Sequence, residues 1–143
     1  MTRDELAAII DAHIEVYATR LKLEAWGINV DLEEDEAKFQ SEKQHETASA
    51  WMYCEPPYRQ ALITFCVPRV LHREGALRLL RHELLHLLHA DLNGFRDMAH
   101  LFARTGRETG ALNAAWHDGI ERFNWQLEQM LDANGWQWEI GDP

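Results

Sequence analysis

Along this chain the spacing of apolar residues shifts from helical to alternating and back, and the shifts mark out its elements. Leu6, Ile10, Ile14, Tyr17 and Leu21 recur every three or four positions. They follow Thr2-Arg-Asp-Glu5, which has the form of a capping box, and predict a first helix of about twenty residues. His13 lies on or beside the apolar face and reads as a core or rim histidine. Trp26-Gly27 is expected to end the element, glycine being the usual residue just past a helix. Ile28, Val30 and Leu32 then alternate with Asn29, Asp31 and Glu33, the signature of a strand with one wet face. Glu33 to Thr47 reads as a polar, mostly acidic loop, with His45 exposed. Ala48 to Cys54 reads as a second strand, stopped by Pro56-Pro57 because proline cannot donate to a ladder. Gln60 to Val67 is a near-continuous apolar run suited to a strand buried on both sides.

Helical spacing then returns. Leu77, Leu80, Leu84, Leu87 and Leu88 predict a helix from about Gly75 to Asp91, capped by Asn93-Gly94. Phe95, Met98, Leu101 and Phe102 predict a short amphipathic helix, and Thr105 to Gly110 a loop with two glycines. A last helix is expected from about Leu112 to Ala133, burying Trp116, Ile120, Phe123, Leu127 and Met130, and ending at Asn134-Gly135. The tail Trp136-Gln-Trp138 is expected to fold back onto the body, since two free tryptophans in water would be unusual. The pattern as a whole predicts an α+β domain, in which a sheet of three strands or slightly more packs on an N-terminal helix, the leucine-rich helix and a C-terminal helix.

Composition narrows the function. A chain of 143 residues is long enough for one core and too short for two. A net charge of −10 argues against binding phosphate backbones, which relies on lysine and arginine, so no nucleic-acid partner is expected. The first ten residues carry acids and no long apolar run, and no stretch reaches the length of a membrane span. The expectation is therefore a cytoplasmic protein without a membrane partner. Cys54 and Cys66 read as two reduced, half-buried thiols.

The chemistry concentrates in Arg81-His82-Glu83-Leu84-Leu85-His86-Leu87-Leu88-His89, which contains H-E-x-x-H inside a helix. Positions i and i+4 lie on one helical face, so His82 and His86 can offer two imidazole nitrogens to a single ion. Zinc accepts imidazole and prefers a tetrahedral shell, and Glu83 is placed to take a proton from a zinc-bound water. This is the arrangement of a zinc peptidase. A third protein ligand is still required. His89 lies about 10 Å from His82 along the axis and reads as a cleft wall or a partner of a ligand. His117, Glu121, Asn124 and Glu128 form a stripe beside the apolar one on the last helix. His117 is favoured as the metal ligand, with Glu121 as the carboxylate that orients a ligand histidine; the reverse assignment stays open.

These residues resemble the zincin metallopeptidases, and more narrowly the minimal gluzincin-like peptidases of phages and bacteria. The resemblance rests on Ile28-Asn-Val30, Ala61-Leu-Ile-Thr-Phe65, the segment Arg81 to Leu88 and the terminal helix. His86-Leu-Leu-His89 is also similar to the ImmA/IrrE regulatory peptidases and, more loosely, to SprT-like proteins. The resemblance implies a zinc cofactor and a protein substrate bound in extended form. It places the gluzincin glutamate ligand at His117, where this chain departs from the pattern, and the acidic residue four positions on at Glu121. It also implies that the strand bordering the cleft, Ala48, Ser49, Ala50, Trp51, Met52 and Tyr53, takes substrate as an added strand. A protonated donor is expected from His72, His89 or Tyr58. Two other functions compete. One is a metal-dependent endoribonuclease, since His82 to Asp91 partly matches the H-x-x-x-H-L-x-G-x-D-H signature of ribosomal-RNA maturation nucleases. The other is an inactive zincin-fold binding protein, against which Glu83 speaks, because a structural site needs no general base.

Overall fold

The structure, a computed structural model, describes residues 1–43, 48–90, 106–133, 135 and 136. Helix α1 (Arg3–Arg20) starts on the predicted capping box: the Thr2 hydroxyl accepts from Glu5 N–H, and the Glu5 carboxylate accepts from Thr2 N–H at 2.8 Å. The helix does not run to Gly27. Lys22 adopts a left-handed backbone, φ 60°, so that its N–H reaches Thr19 and that of Leu23 reaches Ala18. This is the Schellman closure that glycine usually supplies, and a lysine there cannot be read as a stop signal. Gly27 opens the first strand instead. A Cβ on it would come within 2.6 Å of the Gln60 side chain.

Strands β1 (Gly27–Glu33), β2 (Ala50–Glu55) and β3 (Gln60–Cys66) form one mixed sheet in the order β1-β3-β2. β1 runs parallel to β3 with Gly27 opposite Gln60, and β2 runs antiparallel to it with Ala50 opposite Phe65. The central strand is the apolar run, as expected of a strand covered from both sides, although Leu62 keeps partial access to solvent. Helix α2 (Glu36–Lys43) occupies part of the segment expected to be a loop, and it rests on β1. One residue accounts for its formation: Phe39 is completely buried, while the Asp35 carboxylate accepts from Lys38 N–H at the start of the helix. A single apolar residue gives no periodicity, which is why the charge run hid the helix.

Helix α3 (Arg73–Leu87) carries the leucine-rich segment. The His72 imidazole caps it by accepting from Gly75 N–H at 3.0 Å. Its apolar face, with Leu80, Leu84 and Leu85 fully buried, packs with Leu6, Ile10 and Tyr17 of α1 and with Ile63 and Phe65 of β3 to make the core. Arg73 at its first turn donates to His13 Nε2, whose Nδ1–H donates to the Ile9 carbonyl, so the expected rim histidine also joins α1 to α3.

Helix α4 (Gly106–Ala133) begins six residues before the expected start, through the two glycines assigned to a loop. Among the described residues neither Gly106 nor Gly110 faces a neighbour, so their presence costs helix propensity but no contact there. Gly135, at φ 70°, ends it as expected, and Trp136 N–H reaches back to the Leu131 carbonyl. The rotation of α4 differs from the apolar reading: Asn124 and Glu128 are its buried residues, whereas Phe123 and Met130 are more than half exposed. The predicted helix around Phe95–Phe102, the cap at Asn93-Gly94, the exposed His45 and the fate of Trp138 lie outside the described residues. Cys54 and Cys66 are free thiols. Among the described residues no helix is long and apolar enough to cross a membrane.

Burial predicts opposite outcomes at two phenylalanines. Phe39→Ala should lower the free energy of unfolding by about 3 kcal/mol in a urea titration, and Phe123→Ala by less than about 1 kcal/mol.

Candidate metal centre

The H-E-x-x-H spacing does locally what helix geometry requires. His82 and His86 project from one face of α3, their rings edge to face with centroids 5.0 Å apart. Glu121 enters from α4 and spans both. Its two oxygens lie 3.1 Å from His82 Nε2 and 3.2 Å from His86 Nε2. One ligand atom from each of the three residues falls within 4.8 Å of the others. Ligands held at about 2.0–2.1 Å in a tetrahedron stand roughly 3.3 Å apart, so donors that converge within 4.8 Å are close enough to be drawn onto one zinc ion. Two imidazoles and one carboxylate also form the donor set that a catalytic zinc uses while keeping a position open.

The third member of the group is therefore Glu121, the alternative assignment, and not His117. His117 sits one turn earlier on α4, exposed, and lines the same cleft without joining the group. The rotation of α4 explains the exchange. Because Asn124 and Glu128 face inward, the position that meets α3 opposite the two histidines is 121, and the sequence alone could not fix that phase.

Burial and charge set the protonation of the site. Hydrogen bonds from His82 and His86 hold the Glu121 carboxyl far below the ordinary carboxylate range, against the opposing effect of burial. Burial pulls the His82 imidazole down, but the Glu121 hydrogen bond and the negative charges of Glu83, Glu121 and Glu128 outweigh it and leave its pKa raised. Glu83, 6% exposed, is pushed up by burial and only partly brought back by the two histidines. Glu128 is likewise raised by burial, against the pull of Arg78 at 3.8 Å. His89 is driven down to about 4, first by burial and then by His86.

The group opens into a cleft of about 620 Å³. One wall is the edge strand expected to meet substrate: Ala48 to Tyr53, and Cys54 as well, border the cleft, although β2 itself runs from Ala50 to Glu55. Arg69 fixes the approach to that strand by donating to the Ala48 carbonyl at 2.6 Å and pairing with Glu36 of α2 at 2.8 Å. Nothing in the sequence pointed to this brace, because its two partners lie 21 and 33 residues away. Trp116 and Ile120, read as core, are only half-buried and line the cleft. Of the three expected proton donors, His89 alone borders it; His72 serves as a helix cap and Tyr58 is 74% exposed outside it. Comparison with protein-family models, with curated proteins and with solved structures yields no match.

The paired charges predict a stability window in protein stripped of metal. The Glu121 pKa is lowered on folding, so its contribution is present above about 4.5 and lost as pH falls. The His82 pKa is raised, so its contribution is complete below about 6.5 and lost as pH rises. Urea midpoints of metal-free Glu121→Gln should accordingly fall furthest below the parent between pH 4.5 and 6.5, and less at pH 8.

Proposed function

We propose that this chain is a zinc-dependent peptidase with a zincin-like fold, in which His82, His86 and Glu121 hold the ion and Glu83 carries the proton. The observation that bears most weight is the span of Glu121 across both histidines, since it brings a third donor from a separate helix up to the two imidazoles. When bound, zinc would bring the pKa of a water towards neutrality and polarise the scissile carbonyl. Glu83 takes the proton of the attacking water and returns it to the leaving amine. Its burial supports this role, because a carboxylate with a raised pKa is a stronger base than one in water.

The substrate in this reading is an extended peptide lying along β2. That strand is at the edge of the sheet and borders the cleft, so its outward main-chain groups can pair with a segment of any sequence. The side chains that line the cleft include no lysine or arginine among the described residues, which supports peptide over RNA. The reading also accounts for Glu83, which neither a structural metal site nor an inactive scaffold requires.

Elemental analysis and a casein-cleavage assay test it together. Purified parent protein should hold one zinc and cut denatured casein. His82→Ala and Glu121→Ala should lose the metal, whereas His117→Ala should keep it. Glu83→Gln should keep zinc and lose cleavage by about 10²–10⁴-fold. Parent protein that holds zinc yet cuts nothing would return the inactive scaffold to the fore, and parent without stoichiometric metal would end both readings.

A further inference from the structure

Helix α4 uses its apolar residues in two ways. Leu127 and Leu131 pack half-buried against the hydrophobic core. Trp116 and Ile120, nearer the start of the helix, are also half-buried, but among the described residues they do not join that core; both line the cleft instead. Their i, i+4 spacing puts them on one face of the helix, and Ile120 immediately precedes Glu121 of the metal group. One indole and one branched aliphatic chain thus form an apolar patch on the cleft wall, beside the charged groups, and the fold makes no other use of it.

The opposite wall decides which substrate side chains can meet that patch. Ala50, Met52 and Cys54 of β2 stand opposite Phe65, Ile63 and Ala61, all part of the core, so they project to the side of the sheet on which α1 and α3 pack. A peptide added to β2 continues the pleat, and every second residue of it projects to this same side. We propose that Trp116 and Ile120 determine specificity, selecting peptides that carry a large apolar side chain, aromatic or aliphatic, at one such position. This rests on the peptidase reading above. Main-chain pairing with β2 holds an extended segment whatever its sequence, and the α4 patch then chooses among segments by one residue. Taking a leucine- or phenylalanine-sized side chain out of water against the patch favours it over alanine roughly ten- to a hundredfold. A charged side chain there would lose water and find no polar partner on the patch, so it is disfavoured.

The test uses the full chain loaded with zinc and denatured casein as the probe, with the cleaved bonds mapped by mass spectrometry. At one fixed position relative to those bonds, Leu, Ile, Phe, Met and Trp should exceed alanine by roughly tenfold or more once casein composition is corrected for. Trp116→Ala and Ile120→Ala should keep zinc, melt close to the parent, and flatten that enrichment towards one, while Trp116→Phe should preserve it. Cleavage by the parent without apolar enrichment would overturn the proposal and leave the peptidase reading standing, as would an enrichment that both alanine variants retain. A melting temperature lowered as far as Phe39→Ala lowers it would also overturn the proposal, because it would mark a packing role. A zinc-loaded parent that cuts nothing would end the peptidase reading, and this one with it.

Discussion

The arrangement depends on one carboxylate shared by two imidazoles. Glu121 ties α4 to the histidine face of α3; the buried residues of α4 are the polar Asn124 and Glu128, while Leu127 and Leu131 pack half-buried against the core. A helix docked partly through polar groups gains less from leaving water than one docked through leucines alone. Its seating is therefore coupled to whatever occupies the space between Glu121 and the histidines. A divalent ion in place of the two Nε2 protons would exchange weak, pH-dependent bridges for coordinate bonds and fasten the helix.

Two kinds of packing thus meet on α3. One face is a leucine surface built into the core with α1 and β3, and it holds the helix in place irrespective of ligand. The opposite side carries His82, Glu83 and His86, and the protonation of His82 and Glu83 is displaced by burial and by charged neighbours. Such displacement is tolerable because the leucine side supplies the rigidity. Such groups on a loosely packed helix would relax towards solvent and lose these displacements.

Much of this was legible in the sequence, and the failures have particular causes. The capping box at Thr2, the alternation from Ile28 to Leu32, the apolar run of β3 and the i, i+4 histidines are local signals, and each appears where the pattern placed it. Helix α2 was hidden because it rests on the single buried residue Phe39. The end of α1 was misplaced because Lys22 adopts a conformation that only glycine advertises. The choice between His117 and Glu121 depended on the rotation of α4, in which Asn124 and Glu128 are buried while Trp116, Ile120 and Leu127 of the apolar stripe are only half-buried. That stripe pointed Phe123 and Met130 inward, and both are exposed.

An edge strand that is to admit an extended peptide, as proposed above for β2, cannot be protected in the usual ways. Sheet proteins discourage self-association by placing lysines, prolines or bulges along their outermost strands. Between Ala50 and Glu55 the strand has no lysine and no proline, and its only charge is Glu55 at the far end, just before Pro56-Pro57. Among the described residues no strand pairs with the outer side of β2, so it can be met by the edge of another copy, which would form a continuous sheet and occlude the cleft. A net charge of −10 gives copies a long-range repulsion, which weakens as salt rises or as pH nears the isoelectric point of about 5.2.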